Sequence, residues 1–178
     1  WFLVAVITVL SVFLLVTAGL GGVLFDFGGT IIGPAIPYIG PVKDNPGSLG
    51  LFTTAEISRL SSAVVLSAAF ACLAAGWLAE RFGRKPMMLL SAALAAFACL
   101  PICLFDGAYW PFFAGRVLQG ASAGVIGVVA PMYLAECLPA RIRGKGAGMF
   151  QLLDFVGISL CALVGFAVVR FVGAVDAK

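Results

Sequence analysis

The chain has 178 residues, of which 62% are hydrophobic and 11% are charged. Soluble domains carry about 45–50% apolar and about 25% charged residues, and soluble monomers rarely expose large apolar patches. The composition therefore excludes an ordinary soluble domain and indicates a protein surrounded by the lipid bilayer. A net charge of +3, with the basic residues in short clusters beside apolar runs, gives no indication of nucleic-acid binding.

Five apolar runs are long enough to cross a membrane, because a helix needs about 20 mostly apolar residues to do so. The predicted spans are residues 2–25, 60–79, 86–105, 111–135 and 147–169. The first run is longer than a signal-peptide core and has no basic leader, so we expect it to be a span. The predicted fold class is an all-α membrane protein.

Basic residues are concentrated in two connections between spans. Residues 80–86 and 137–146 hold six of the eleven lysines and arginines, and positive loops tend to stay cytoplasmic. We therefore expect these two loops and the N-terminus in the cytoplasm, and the 37–58 loop outside, with the protein in the cell (plasma or inner) membrane. Because the chain starts with Trp1 and five spans would end it outside, we expect it to be a piece of a longer protein that includes a sixth span.

The connection between the second and third predicted spans contains two glycines, and the sequence around it from Gly76 to Pro86 reads GWLAERFGRKP. We expect Gly76 to let helices approach closely and Gly83 to permit a sharp reversal, while Glu80 can neutralise cations at the membrane surface. A generic positive loop is the simpler explanation, but it does not account for the order of these residues.

A second block runs from Gly115 to Gly144 and reads G-R-x3-G-x3-G, then P-x-Y-x-x-E-x-x-P-x-x-x-R-G. Its two central glycines, Gly120 and Gly124, form a small-xxx-small face that predicts close packing on a neighbouring helix, whose identity the pattern leaves open. A third block, Q-L-x4-G-I, begins at Gln151.

In this order the three blocks resemble the sugar porters of the major facilitator superfamily, over residues 19–170. The resemblance implies an N-terminal half-bundle with five of the usual twelve transmembrane helices. It also implies three-helix units related by inverted symmetry, and a substrate site at the interface with a missing C-terminal half. No cofactor, metal or enzymatic activity is expected, since the chain lacks histidine, paired carboxylates within a span and a nucleophile motif.

The resemblance further implies a gate of ion pairs at the cytoplasmic helix ends, formed by Glu80, Arg84, Glu136 and Arg143. Because Pro139 separates Glu136 from Arg143, we expect those two on different helices. The alternative for each is an ordinary surface ion pair, worth about 0–1 kcal/mol.

Polar side chains within the fifth predicted span are candidate substrate groups. Gln151 offers two donors and an acceptor, which suits the hydroxyls of a sugar or polyol, and the resemblance implies that it contacts the sugar. An interhelical hydrogen bond is the alternative. Asp154 lies one turn further on a similar face, where the family usually has an apolar or small residue, so it either shares the same cavity or faces water. Because position 158 is Ile158, no particular sugar can be inferred.

Asp26 and Arg116 are expected at similar depth and are candidates for coupling transport to protons. In proton-coupled sugar porters an aspartate of the first helix exchanges a proton and an arginine partner. Here Gly28 occupies that position and the acid lies two residues earlier, which turns it by about 200° on a helix. Proton symport and facilitated diffusion both stay open, as does the alternative that Asp26 faces a watery vestibule while Arg116 reaches towards headgroups.

The predicted function is secondary active or facilitative transport of a sugar or polyol by alternating access. A sugar sensor with a transporter-like fold is the main alternative from another class. Within the same superfamily, a carrier of organic ions, phosphate or drugs also stays open.

Overall fold

The computed structural model describes residues 16, 20–23, 30, 33, 50–104 and 108–175. That part of the chain forms four long helices: α1 (Thr54–Phe82), α2 (Arg84–Leu104), α3 (Tyr109–Cys137) and α4 (Arg143–Val175). All four are long and apolar enough to cross a membrane, so the protein is an all-α membrane protein. Residues 20–23, called here the 20–23 segment, are helical as well. Most of the predicted first span and of the 37–58 loop lies outside the described residues.

The ends of α1 are defined by local hydrogen bonds. At its start the Glu56 N–H donates to Thr53 Oγ1 at 3.4 Å and the Thr53 N–H donates to Glu56 Oε2 at 2.8 Å. This capping box starts the helix six residues before the predicted span, which begins at 60. At the other end Gly83 has a φ of +90°, so the predicted sharp reversal at Gly83 is confirmed.

Glycines of α3 lie directly against its two neighbours. A methyl group at Gly124 would come within 2.8 Å of Ala71 Cβ on α1, and one at Gly120 would overlap the Val64 carbonyl oxygen. On the α2 side, a methyl group at Gly115 would lie 2.9 Å from a carbonyl oxygen. The predicted close packing at Gly120 and Gly124 is therefore confirmed, and α1 is the partner.

The expectation that Gly76 lets helices approach closely stays a prediction. A methyl group there would meet no atom of the described residues within 4 Å. The inward-facing positions at this level of α1 belong to Ala75 and Ala79, which are 1% and 0% exposed and pack with Val129 of α3. Gly76 points away from that contact, so its lack of a side chain serves no helix approach among the described residues.

The last helix, α4, makes fewer contacts. Phe150 packs into a cluster with Ile126, Ala130 and Leu134 of α3 and with Leu138. Further along, Gly157 lies against the 20–23 segment, where a methyl group would come within 2.8 Å of Val23 Cα. Most other large apolar side chains of α4 are exposed, which leaves a long face of the helix open.

Candidate substrate site and gate

Arg84 joins three helices at the end of the bundle where α1 and α3 finish and α2 and α4 begin; we call this the basic end. As the first residue of α2, Arg84 donates from Nη2 to Glu136 Oε1 of α3 at 2.6 Å, and from Nε to the same oxygen at 3.1 Å. Its Nη1 donates to the Ala79 carbonyl oxygen of α1 at 2.7 Å. One guanidinium thus ties the last turns of two helices to the first turn of a third.

The other two predicted gate residues lie at the same end but apart from this pair. Glu80 is exposed in the last turn of α1, and Arg143 is exposed at the start of α4. Within the described part of the chain, the ion pair at this end is Arg84–Glu136. The structure thus brings two of the four predicted gate residues together.

Two polar side chains meet about a quarter to a third of the way along α4, within its membrane-spanning part. Gln151 Nε2 donates to Asp154 Oδ2 at 3.4 Å, and the two residues lie about 12–17 Å along the axis from the start of the helix. Gln151 is exposed and Asp154 is half-buried.

Asp154 also lies close to the 20–23 segment. A methyl group at Gly22, which is buried, would lie 3.2 Å from Asp154 Oδ1 and 3.4 Å from Phe150 Cε2. The two carboxylate oxygens therefore face different neighbours. Oδ2 accepts the amide hydrogen of Gln151, while Oδ1 lies close enough to Gly22 that a methyl group there would require it to shift by a few tenths of an ångström.

Arg116 is buried in α3, with 3% of its surface exposed. Its Nη1 donates to Gln119 Oε1 at 2.7 Å, so a residue one turn further along the helix holds the guanidinium. The sequence interpretation missed Gln119, although the spacing of three residues between two polar side chains in an apolar helix is a readable signal. Asp26, the second coupling candidate, lies outside the described residues.

Serines close the contact between α2 and α3. Ser122 Oγ donates to the Ser91 carbonyl oxygen at 2.8 Å, and Ser91 Oγ donates to the Ser122 carbonyl oxygen at 3.2 Å. Both side chains are buried, at 4% and 7% exposed. Each hydroxyl thereby has a hydrogen-bond acceptor on the backbone of the other helix. These bonds explain why two polar side chains outside the sequence motifs are buried.

An apolar groove of about 440 Å³ lies between residues 16 and 20–23 on one side and the start of α4 on the other. Val16, Leu20 and Val23 line one side, and Ile142, Met149 and Leu153 line the other. Gln151 and Asp154 are not among its lining residues. A groove with so few polar groups suits a hydrophobic occupant, and it does not suit a sugar.

A bundle of apolar helices with a polar pair within the membrane-spanning part of one of them and an ion pair at the helix ends is typical of a membrane transporter. Residues 14–176 match the family described as "Sugar (and other) transporter". The chain therefore belongs to the sugar porter family of the major facilitator superfamily.

Curated relatives agree with this assignment. The chain is 31% identical over 148 residues to a D-xylose transporter of Levilactobacillus brevis, covering 83% of this chain and 31% of that protein. It is 30% identical over 154 residues to the arabinose-proton symporter of Escherichia coli K12, covering 86% and 31%. It is also 31% identical over 160 residues to the probable inositol transporter 3 of Arabidopsis thaliana, covering 90% and 27%. The chain thus spans about a third of the length of these relatives.

Among solved structures, the chain is similar to the xylose transporter XylE from E. coli in its inward-open conformation. The TM-score is 0.72 at 22% sequence identity, over 90% of this chain and 40% of that one. This similarity shows that the two share a fold, and it identifies the chain as part of an N-terminal half.

Proposed function

We propose that the protein containing this chain carries a sugar or polyol across a membrane. The observation that carries the proposal is the Gln151–Asp154 pair, which sets hydrogen-bonding groups within the membrane-spanning part of α4 in a chain of the sugar porter family. Amide and carboxylate groups recognise hydroxyls by hydrogen bonds. A solute without hydroxyls is rejected, because it would leave the amide and the carboxylate without hydrogen-bond partners. The names of the relatives, which include xylose, arabinose and inositol transporters, support the same class of solute.

Within this proposal the substrate contacts are Gln151 and Asp154, and the protein works by alternating access. Arg84 and Glu136, with Glu80 and Arg143 nearby, belong to the gate at the basic end. The Arg84–Glu136 pair joins helices of this half to each other. Its role is therefore to hold the end of this half together as one body while the missing C-terminal half moves against it.

Coupling to protons is a separate part of the proposal. Arg116 and Asp26 are the candidate groups, and two of the relatives named for their activity are proton symporters. Arg116 Nη1 donates to Gln119 Oε1, which fixes the orientation of the guanidinium on α3.

For orientation, we propose that the basic end faces the cytoplasm, since Arg81, Arg84, Lys85, Arg141, Arg143 and Lys145 all lie at or beside it. The N-terminus is then cytoplasmic, in a plasma or inner membrane. The partners are the lipid bilayer, the C-terminal half and the transported solute, and no cofactor is needed.

The test is uptake by proteoliposomes that hold the complete protein containing this chain. Labelled D-xylose, L-arabinose, D-glucose, D-galactose and myo-inositol are supplied with and without an imposed pH gradient. We expect saturable uptake of at least one of them, and a loss of about tenfold or more in kcat/KM for Gln151→Ala, because hydrogen bonds in a desolvated site are each worth about 1–3 kcal/mol.

Ser159→Ala is the matched control, since Ser159 lies on the same helix. Its hydroxyl donates within that helix, to the Phe155 carbonyl oxygen 2.9 Å away. Its uptake should equal that of the wild type. Binding of a sugar without transport would favour a sensor, and uptake of an organic ion, phosphate or drug in place of any sugar would overturn the proposed substrate class. Stimulation by an inward proton gradient, lost in Arg116→Leu, would establish coupling.

A further inference from the structure

The Gln151–Asp154 pair has many acceptors and few donors. A carboxylate is acceptor-only and has about four lone-pair sites, while a primary amide has two donors and one acceptor oxygen. One amide hydrogen of Gln151 is already used on Asp154 Oδ2. Most of what the pair can offer a solute is therefore acceptor capacity, so its complement is a group that presents several hydrogens in one place.

Gly22 fixes which way this acceptor surface faces. Asp154 Oδ1 lies close to the Gly22 backbone, at a point where a methyl group would sit 3.2 Å away, and Phe150 fills the adjacent space at 3.4 Å. Gln151 is exposed, and Asp154 keeps part of its surface accessible. The carboxylate thus lies between a glycine of the 20–23 segment and an amide of its own helix, and part of it stays accessible to a solute.

Resting on the proposed function, we infer that Asp154 is the specificity-determining residue of the site and selects solutes with hydroxyls on two adjacent carbons. Two such hydroxyls can donate to one carboxylate together, whereas a single hydroxyl leaves part of a half-buried charge unsolvated. Hydrogen bonds to a charged group are worth about 1.5–3 kcal/mol, or about tenfold to a hundredfold in affinity. A solute that lacks one hydroxyl of the pair should lose that factor.

The experiment measures inhibition of uptake by the complete protein. The inhibitors are D-glucose, D-xylose and myo-inositol, and the monodeoxy analogues of each. Each monodeoxy analogue lacks one hydroxyl. For the wild type, we expect two of these analogues, whose missing hydroxyls belong to neighbouring carbons, to bind about tenfold or more weakly than their parent. In Asp154→Leu the same two analogues should bind within about threefold of the parent, because the group that discriminated them is gone. Asp154→Asn keeps the shape, loses the charge and should give an intermediate ratio.

Gly22→Ala is a second variant in case the Asp154 substitutions fail to fold. It keeps the carboxylate but presses on Oδ1, and it should also reduce the discrimination between parent and deoxy analogues. The inference is overturned if the same two analogues are discriminated as strongly in folded Asp154→Leu, or in folded Gly22→Ala, as in the wild type. That outcome leaves the proposed function intact, whereas a wild type that neither transports nor binds any of the three parent solutes overturns both.

Discussion

The helices α3 and α4 are both apolar and long, but they have opposite surroundings. In the most apolar stretch of α3, 50% of the residues are buried, against 17% in α4. The difference follows from where the small residues point. In α3, Gly115, Gly120 and Gly124 lie against α1 or α2, although Gly127 does not. In α4, Gly157 lies against the 20–23 segment, whereas a methyl group at Gly144 or Gly148 would have no atom of the described residues within 4 Å. One helix is built to be enclosed, and the other presents its polar groups on an open face.

The largest expected effect comes from filling a glycine contact in the enclosed helix. Gly124→Val would push side-chain atoms into the backbone of α1, where even a methyl group would come within 2.8 Å of Ala71 Cβ. Overpacking costs about 1–3 kcal/mol when neighbours can shift, and backbone atoms shift least. We expect a loss of folded protein by size-exclusion chromatography in detergent, and a lower midpoint of thermal unfolding for what remains.

Gly148→Val in α4 is the matched control, because the added atoms meet open space among the described residues. It should elute and unfold like the wild type. Equal destabilisation by the two substitutions would show that the contrast between the helices is not one of packing.

The next largest effect on stability is expected from replacing a glutamine, and α3 and α4 each contain one to compare. Gln119→Met in α3 removes the acceptor that holds the Arg116 guanidinium at 2.7 Å in a site where Arg116 is 3% exposed. A hydrogen bond to a charged group is worth about 1.5–3 kcal/mol, so the free energy of unfolding should fall by about that amount. Gln151→Met in α4 makes the same chemical change on an exposed side chain, and it should alter the free energy of unfolding by less than about 0.5 kcal/mol.

These two glutamines show how far sequence could predict the site. Gln151 stood out because it falls in a family motif, and its contact with substrate stays a prediction, whereas Gln119 belongs to no motif and becomes interpretable only when its contact with Arg116 is known. The helices were predictable from hydropathy, and Gly83 was predictable because glycine adopts a positive φ without steric cost. For Gly76, the described residues include no neighbouring helix that tests the expected close approach.

A smaller effect is expected at the serine pair between α2 and α3. Replacing Ser91 and Ser122 by alanine, singly and together, forms a double-mutant cycle for the two reciprocal hydrogen bonds. A typical net contribution is about 1 kcal/mol per bond, and each single change frees a carbonyl of the partner, so we expect a coupling of about 0.5–1.5 kcal/mol in the free energy of unfolding. Ser159→Ala in α4 breaks a bond within one helix and should show no coupling with either serine.

The smallest effect is expected at the ion pair of the basic end. Its side chains are 24% and 48% exposed, so the Arg84–Glu136 interaction should contribute about 0–1 kcal/mol to the free energy of unfolding and should weaken as salt is added. Arg84→Ala should cost more than Glu136→Ala, because Arg84 also donates to the Ala79 carbonyl at the end of α1. Equal losses would contradict a dual role for Arg84. The pair therefore supplements the enclosed glycine contacts of α3, which we expect to supply most of the rigidity of the half-bundle.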